Sequence, residues 1–86
     1  MNSYTFHEDP GHGWLEVDRP ELARFVDLSE VSSCSYQKDG KVYLEEDCDA
    51  YLFIKALKDS GVEYELVTKI YPTTEAPIRN YPRFKA

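Results

Sequence analysis

Asp39-Gly40 is the feature that most constrains this chain. Asp-Gly between two alternating segments is a strong signature of a two-residue hairpin in a type I′ turn, whose central residues both need positive φ. The flanks are Cys34-Ser35-Tyr36-Gln37-Lys38 and Lys41-Val42-Tyr43-Leu44-Glu45. Val42 and Leu44 fall on one side of the strand, Tyr43 and Glu45 on the other. Cys34 alternates with Tyr36 in the first arm and is expected to be a buried, inert thiol.

The other elements arrange themselves around this hairpin. Residues 2–7 read as a short strand, with Tyr4 and Phe6 alternating with Ser3 and Thr5. Trp14-Leu15-Glu16-Val17 reads as a second, with Leu15 and Val17 on one face and Trp14 and Glu16 on the other. Asp9-Pro10-Gly11-His12-Gly13 must turn between them, with positive φ expected at Gly11 and Gly13. A short helix starts at Asp18-Arg19-Pro20-Glu21, with Asp18 as its cap and Leu22, Phe25 and Val26 on one face. A second helix, capped by Asp47 or Asp49, carries Ala50, Phe53, Ile54 and Leu57 at helical spacing and stops at Gly61. Val62, Tyr64, Leu66 and Ile70 alternate with Glu63, Glu65 and Lys69, which predicts a half-buried antiparallel strand.

The predicted order is β-β-α-β-β-α-β. The class is α+β: one antiparallel sheet of four to five strands with two helices packed on one face. With 86 residues the chain makes one domain, assigned to residues 1–71. Pro72, Pro77 and Pro82 bar a long helix from residues 72–86, a basic tail expected to dock on the domain through Ile78, Tyr81 and Phe84.

Composition narrows the function. Acids outnumber bases 16 to 10, for a net charge of −6, and all the acids precede residue 76. An acidic body disfavours direct binding of nucleic acid, whose affinity comes largely from neutralising phosphates, and favours cationic partners. No apolar run is long enough for a membrane span. The opening residues have no basic start and no apolar core, so no secretory signal is expected and Cys34 and Cys48 are expected as free thiols. Their spacing is far from C-x-x-C. Asp47 and Asp49 beside Cys48 should raise its pKa and keep it from acting as a nucleophile.

Two segments carry candidate sites. The first is His7-Glu8-Asp9-Pro10-Gly11-His12-Gly13-Trp14, which holds both histidines, two acids and the only tryptophan. His7, Asp9, Gly11, His12, Gly13 and Trp14 are its candidate ligand-loop residues: imidazoles and carboxylates for an ion or proton, glycines for close backbone approach. The segment also reads simply as a structural turn anchored by Trp14. It matches no metal signature, and the chain lacks a nucleophile elbow and a phosphate loop, so neither enzymatic activity nor a cofactor is expected. The second segment is Glu45-Glu46-Asp47-Cys48-Asp49. Its acids suit a helix N-terminus. Glu45, Glu46, Asp47 and Asp49, with Tyr43 and Glu63, also form a candidate acidic contact surface for a basic partner.

The block His7 to Val17 resembles the opening of small uncharacterised proteins of bacteriophages, prophages and plasmids, which read His-Asp-Pro-Gly-His-Gly-Trp-Leu. Ser35-Tyr36-Gln37 and Tyr43-Leu44-Glu45-Glu46-Asp47-Cys48-Asp49 match their later blocks. Here Glu8 stands as an extra residue between His7 and Asp9. The resemblance covers roughly residues 7–60 and supplies no activity. It implies a mobile-element setting, the cytoplasm of a bacterial host, and a non-enzymatic protein that binds and modulates a host protein. An anti-defence inhibitor of the anti-CRISPR kind, acting through the acidic surface, is the leading expectation. A small metal- or ligand-binding domain using the His7–Trp14 loop is the alternative.

Overall fold

A computed structural model describes residues 1–86. The Asp39-Gly40 turn has φ of 52° and 81° at its two central residues, as a type I′ turn requires. It joins β3 (Tyr36–Lys38) to β4 (Lys41–Glu45). Before these come β1 (Asn2–Glu8), β2 (Gly13–Asp18) and α1 (Arg19–Phe25); after them come α2 (Ala50–Asp59) and β5 (Tyr64–Ile70). The strands form one sheet in the order β3-β4-β2-β1-β5. The class is α+β, with five strands and two helices. No helix is long and apolar enough to cross a membrane.

One pairing departs from expectation. β5 runs parallel to β1, with Tyr4 beside Leu66 and Phe6 beside Thr68, so the sheet is mixed. The helical crossover through α2 carries the chain to the far edge and returns it in the direction of β1, which a parallel neighbour requires. β5 is not half-buried either: from Glu65 to Ile70 every residue is exposed. Alternation alone does not distinguish an edge strand from one with a covered face.

The inner face of the sheet supplies Tyr4, Leu15, Val17, Val42 and Leu44 to the main core. Leu22 of α1, Phe53 and Leu57 of α2, and Phe84 of the tail close it. Asp18 and Asp49 stand at the two helix starts, but neither side chain caps its helix. Asp18 pairs with Lys41 instead, and Asp49 turns inward. Gly61, at φ 70°, follows α2 as expected.

Gly11 and Gly13 do not adopt positive φ. Gly13 is required for space: a Cβ there would lie 2.8 Å from Cε2 of Phe6. Cys34 lies in a turn before β3, half-buried, and not in the strand.

The tail covers the outer face. Ala76 and Ile78 bury Trp14 and Tyr36, with Tyr43, Tyr71 and Tyr81 around them. It also caps the β3 edge, where Gln37 N donates to Pro82 O and Phe84 N to Ser35 O. The clamp is Asp9, whose side chain is wholly buried. Its carboxylate accepts from Arg79 Nε at 2.7 Å and Nη2 at 2.9 Å, and from the backbone N–H groups of Ala76, Gly11 and His12. The Arg79 guanidinium, helped by those amides, holds the Asp9 carboxyl far below the usual carboxylate range.

A lowered folded-state pKa adds stability above the ordinary carboxylate range that is lost as pH falls through it. The domain should therefore lose stability steeply below about pH 4. Asp9→Asn should cost about 3 kcal/mol at pH 7, because it leaves a half-buried guanidinium unpaired, and should flatten that acid dependence. Urea unfolding at pH 7 and pH 3 measures both; an equal acid slope in the variant would contradict the assignment.

Candidate functional site

The loop after β1 and the turn after β4 meet at one end of the sheet, because β2 lies between β1 and β4 and pairs Trp14 with Glu45. Glu46 N bonds to Gly13 O across the junction. A cleft of about 380 Å³ opens there, lined by His12, Trp14, Cys34, Tyr36, Glu45, Asp47, Cys48, Arg79 and Arg83.

His12 is half-exposed, its backbone fixed by the bond from its N–H to Asp9. Its Nδ1 stands 3.4 Å from Glu45 Oε1. The ligand atoms of His12, Glu45 and Asp47 all lie within 4.8 Å of one another. Glu45 Oε2 meanwhile accepts from the N–H groups of Asp47 at 2.8 Å and Cys48 at 3.2 Å. Those bonds tighten the turn and fix Glu45, leaving Oε1 facing His12.

Trp14 forms one wall. Arg79 lies over its ring at 5.4 Å, and the His12 ring sits 6.0 Å from it. Trp14 Nε1 is the one buried side-chain polar atom with no hydrogen-bond partner. Such a donor costs about 1–3 kcal/mol and is uncommon in a folded interior.

Two thiols complete the lining. Cys34 and Cys48 are free, half-buried thiols that neighbour each other in the wall of the cleft. Contact with Cys34 first, then burial, then Glu45 and Asp49, pushes the Cys48 thiol up to about 12. The direction is the one expected from the sequence, but the leading cause is a neighbour that the sequence does not reveal, and Asp49, not Asp47, is among the main acidic contributors.

The other expected site residues fall elsewhere. His7 belongs to β1 and is buried between Tyr43 and Tyr71, its Nε2 on Glu16 at 2.8 Å and its Nδ1 on the Tyr71 hydroxyl at 3.1 Å. Both ring nitrogens are taken, so His7 and His12 do not form a pair. Asp9 is the tail clamp. Gly11 lies under Arg79, 3.0 Å from the guanidinium at its would-be Cβ.

The proposed acidic surface divides. Glu45 and Asp49 are buried, which corrects their assignment as surface contacts. Asp49 accepts from Ser32 N, Ser32 Oγ and Ser35 Oγ, and so ties the segment before β3 to the start of α2. Tyr43 is half-covered by Tyr81, with ring centroids 5.2 Å apart. Glu46, Asp47 and Glu63 are exposed. Arg79 and Arg83, supplied by the tail, were not anticipated; no local pattern links them to a loop some 70 residues earlier.

Alkylation of Cys48 in the folded chain at pH 8 should be markedly slower than in the unfolded chain, since the thiolate reacts and its formation is disfavoured beside Cys34. Peptide mass spectrometry after iodoacetamide treatment measures this; equal rates would contradict the environment described. Compared with protein-family models, with curated proteins and with solved structures, the chain gives no match in any of the three.

Proposed function

We propose that the chain is a non-enzymatic binding domain that takes a divalent transition-metal ion of the zinc class at His12, Glu45 and Asp47. The observation that carries this is the convergence of an imidazole nitrogen and two carboxylates within 4.8 Å at the cleft. Mixed nitrogen and oxygen donors suit zinc, cobalt or nickel, whereas magnesium and calcium prefer oxygen alone. Zinc holds such donors at about 2.0–2.2 Å, so binding draws together His12 and Asp47 from the two loops and Glu45 from the end of β4. Three protein donors leave a fourth tetrahedral position facing the cleft. Trp14, Arg79 and Arg83 line that space, and Arg83, whose charge no carboxylate of the chain meets, favours an anionic co-ligand. This develops the loop-based alternative from the sequence: His12 stays, and the carboxylates of Glu45 and Asp47 take the place of His7.

Zinc titration against a chromophoric chelator tests it. One ion per chain is expected, and His12→Ala and Asp47→Asn should each weaken binding at least about tenfold, since even outer-shell changes at metal sites have effects of that size. Unchanged affinity in both variants would overturn the proposal.

A second reading, the binding of a host protein through acidic side chains, keeps Glu46, Asp47 and Glu63. All three are exposed, and none has an ion-pair partner in its own chain. A stoichiometric partner released by Glu46→Lys and retained by His12→Ala would favour it over the metal site.

A further inference from the structure

The two edges of the sheet are treated differently. The β3 edge is covered by residues 82–84, through Gln37 N to Pro82 O, Phe84 N to Ser35 O and a bridge between Tyr36 and Arg83. The β5 edge is open. It runs for seven residues, Tyr64–Ile70, with no proline, glycine or bulge to blunt it. Three of the five exposed large hydrophobic residues of the chain, Leu66, Val67 and Ile70, lie on it.

The direction of its backbone groups follows from the ladder. Asn2 N donates to Glu63 O, and Tyr71 N donates to Glu8 O. In a parallel pair alternate residues face the neighbour, so the odd-numbered residues of β5 turn their N–H and C=O towards β1. Those of Tyr64, Leu66, Thr68 and Ile70 point outward.

We infer that β5 is the interface of a symmetric homodimer, in which two copies pair their β5 edges antiparallel about a two-fold axis at Val67. Val67 is the midpoint of the strand. This register sets Leu66 opposite Thr68 and Tyr64 opposite Ile70 of the second copy, so every outward group finds an outward group. It also sets Glu65 opposite Lys69, twice, because of the symmetry. These fall at non-hydrogen-bonded positions, where side chains of facing strands come closest. Neither residue has an ion-pair partner within its own chain. The charge pattern is therefore complementary to itself in one orientation, which argues for a second copy over an unrelated strand. The two five-stranded sheets become one of ten strands.

Sedimentation equilibrium tests this with the wild-type chain and exposed-residue variants whose folding is checked by circular dichroism. The wild type should be a dimer. Glu65→Lys and Lys69→Glu should each weaken association at least about tenfold, by turning two attractive pairs into repulsive ones. An equimolar mixture of the two variants, and the double swap, should each recover the dimer. A monomeric wild type at several hundred micromolar would overturn the proposal. So would a dimer indifferent to both reversals, or reversals not repaired by the swap.

Discussion

Asp9 holds the second face of this molecule together. Its buried carboxylate receives a bidentate guanidinium from Arg79 and the amides of Gly11, His12 and Ala76. Burying a carboxylate without partners would cost several kcal/mol, so the position is tolerable only with the tail in place. The same bonds organise what surrounds them. Arg79 is laid over Trp14, and the backbone of His12 is fixed so that its ring points outward. The clamp, the tail and the cleft are therefore one arrangement, and loosening the first loosens the others.

The acids of this chain do two kinds of work. Asp9, Glu45 and Asp49 are internal acceptors that tie loops together, and their charges are met by amides, hydroxyls and a guanidinium. Glu46, Asp47 and Glu63 remain at the surface. Net charge counts both kinds alike, and so overstates the acidic surface near the start of α2. What the buried acids provide instead is a fixed frame: Glu45 is held by two amides while its other oxygen faces His12.

Some local signals in the sequence hold in the structure, while others, the caps at Asp18 and Asp49 and the positive φ at Gly11 and Gly13, do not. Asp39-Gly40, the apolar spacing of Ala50, Phe53, Ile54 and Leu57, and the stop at Gly61 each depend on a few neighbouring residues. Features that depend on distant residues were not legible. A parallel edge strand alternates as an antiparallel one does, so the alternation of β5 reveals neither its parallel pairing with β1 nor its exposure. The contact of Cys34 with Cys48 needs the folded turn. Gly13 is needed not for a positive φ but for the Phe6 ring across the hairpin. His12 and the acidic segment after Tyr43 were each singled out as candidates, but their convergence follows from the pairing of β2 with β4.

The proposed site stands on the convergence of His12, Glu45 and Asp47 beside a buried indole. Anomalous diffraction at the zinc absorption edge, from crystals of the zinc-loaded chain, examines that convergence directly. The account predicts one strong peak bonded to His12 Nδ1 and to carboxylate oxygens of Glu45 and Asp47, with the bonds between Asp9 and Arg79 intact. A peak confined to other exposed acids, or none in the cleft, would contradict it.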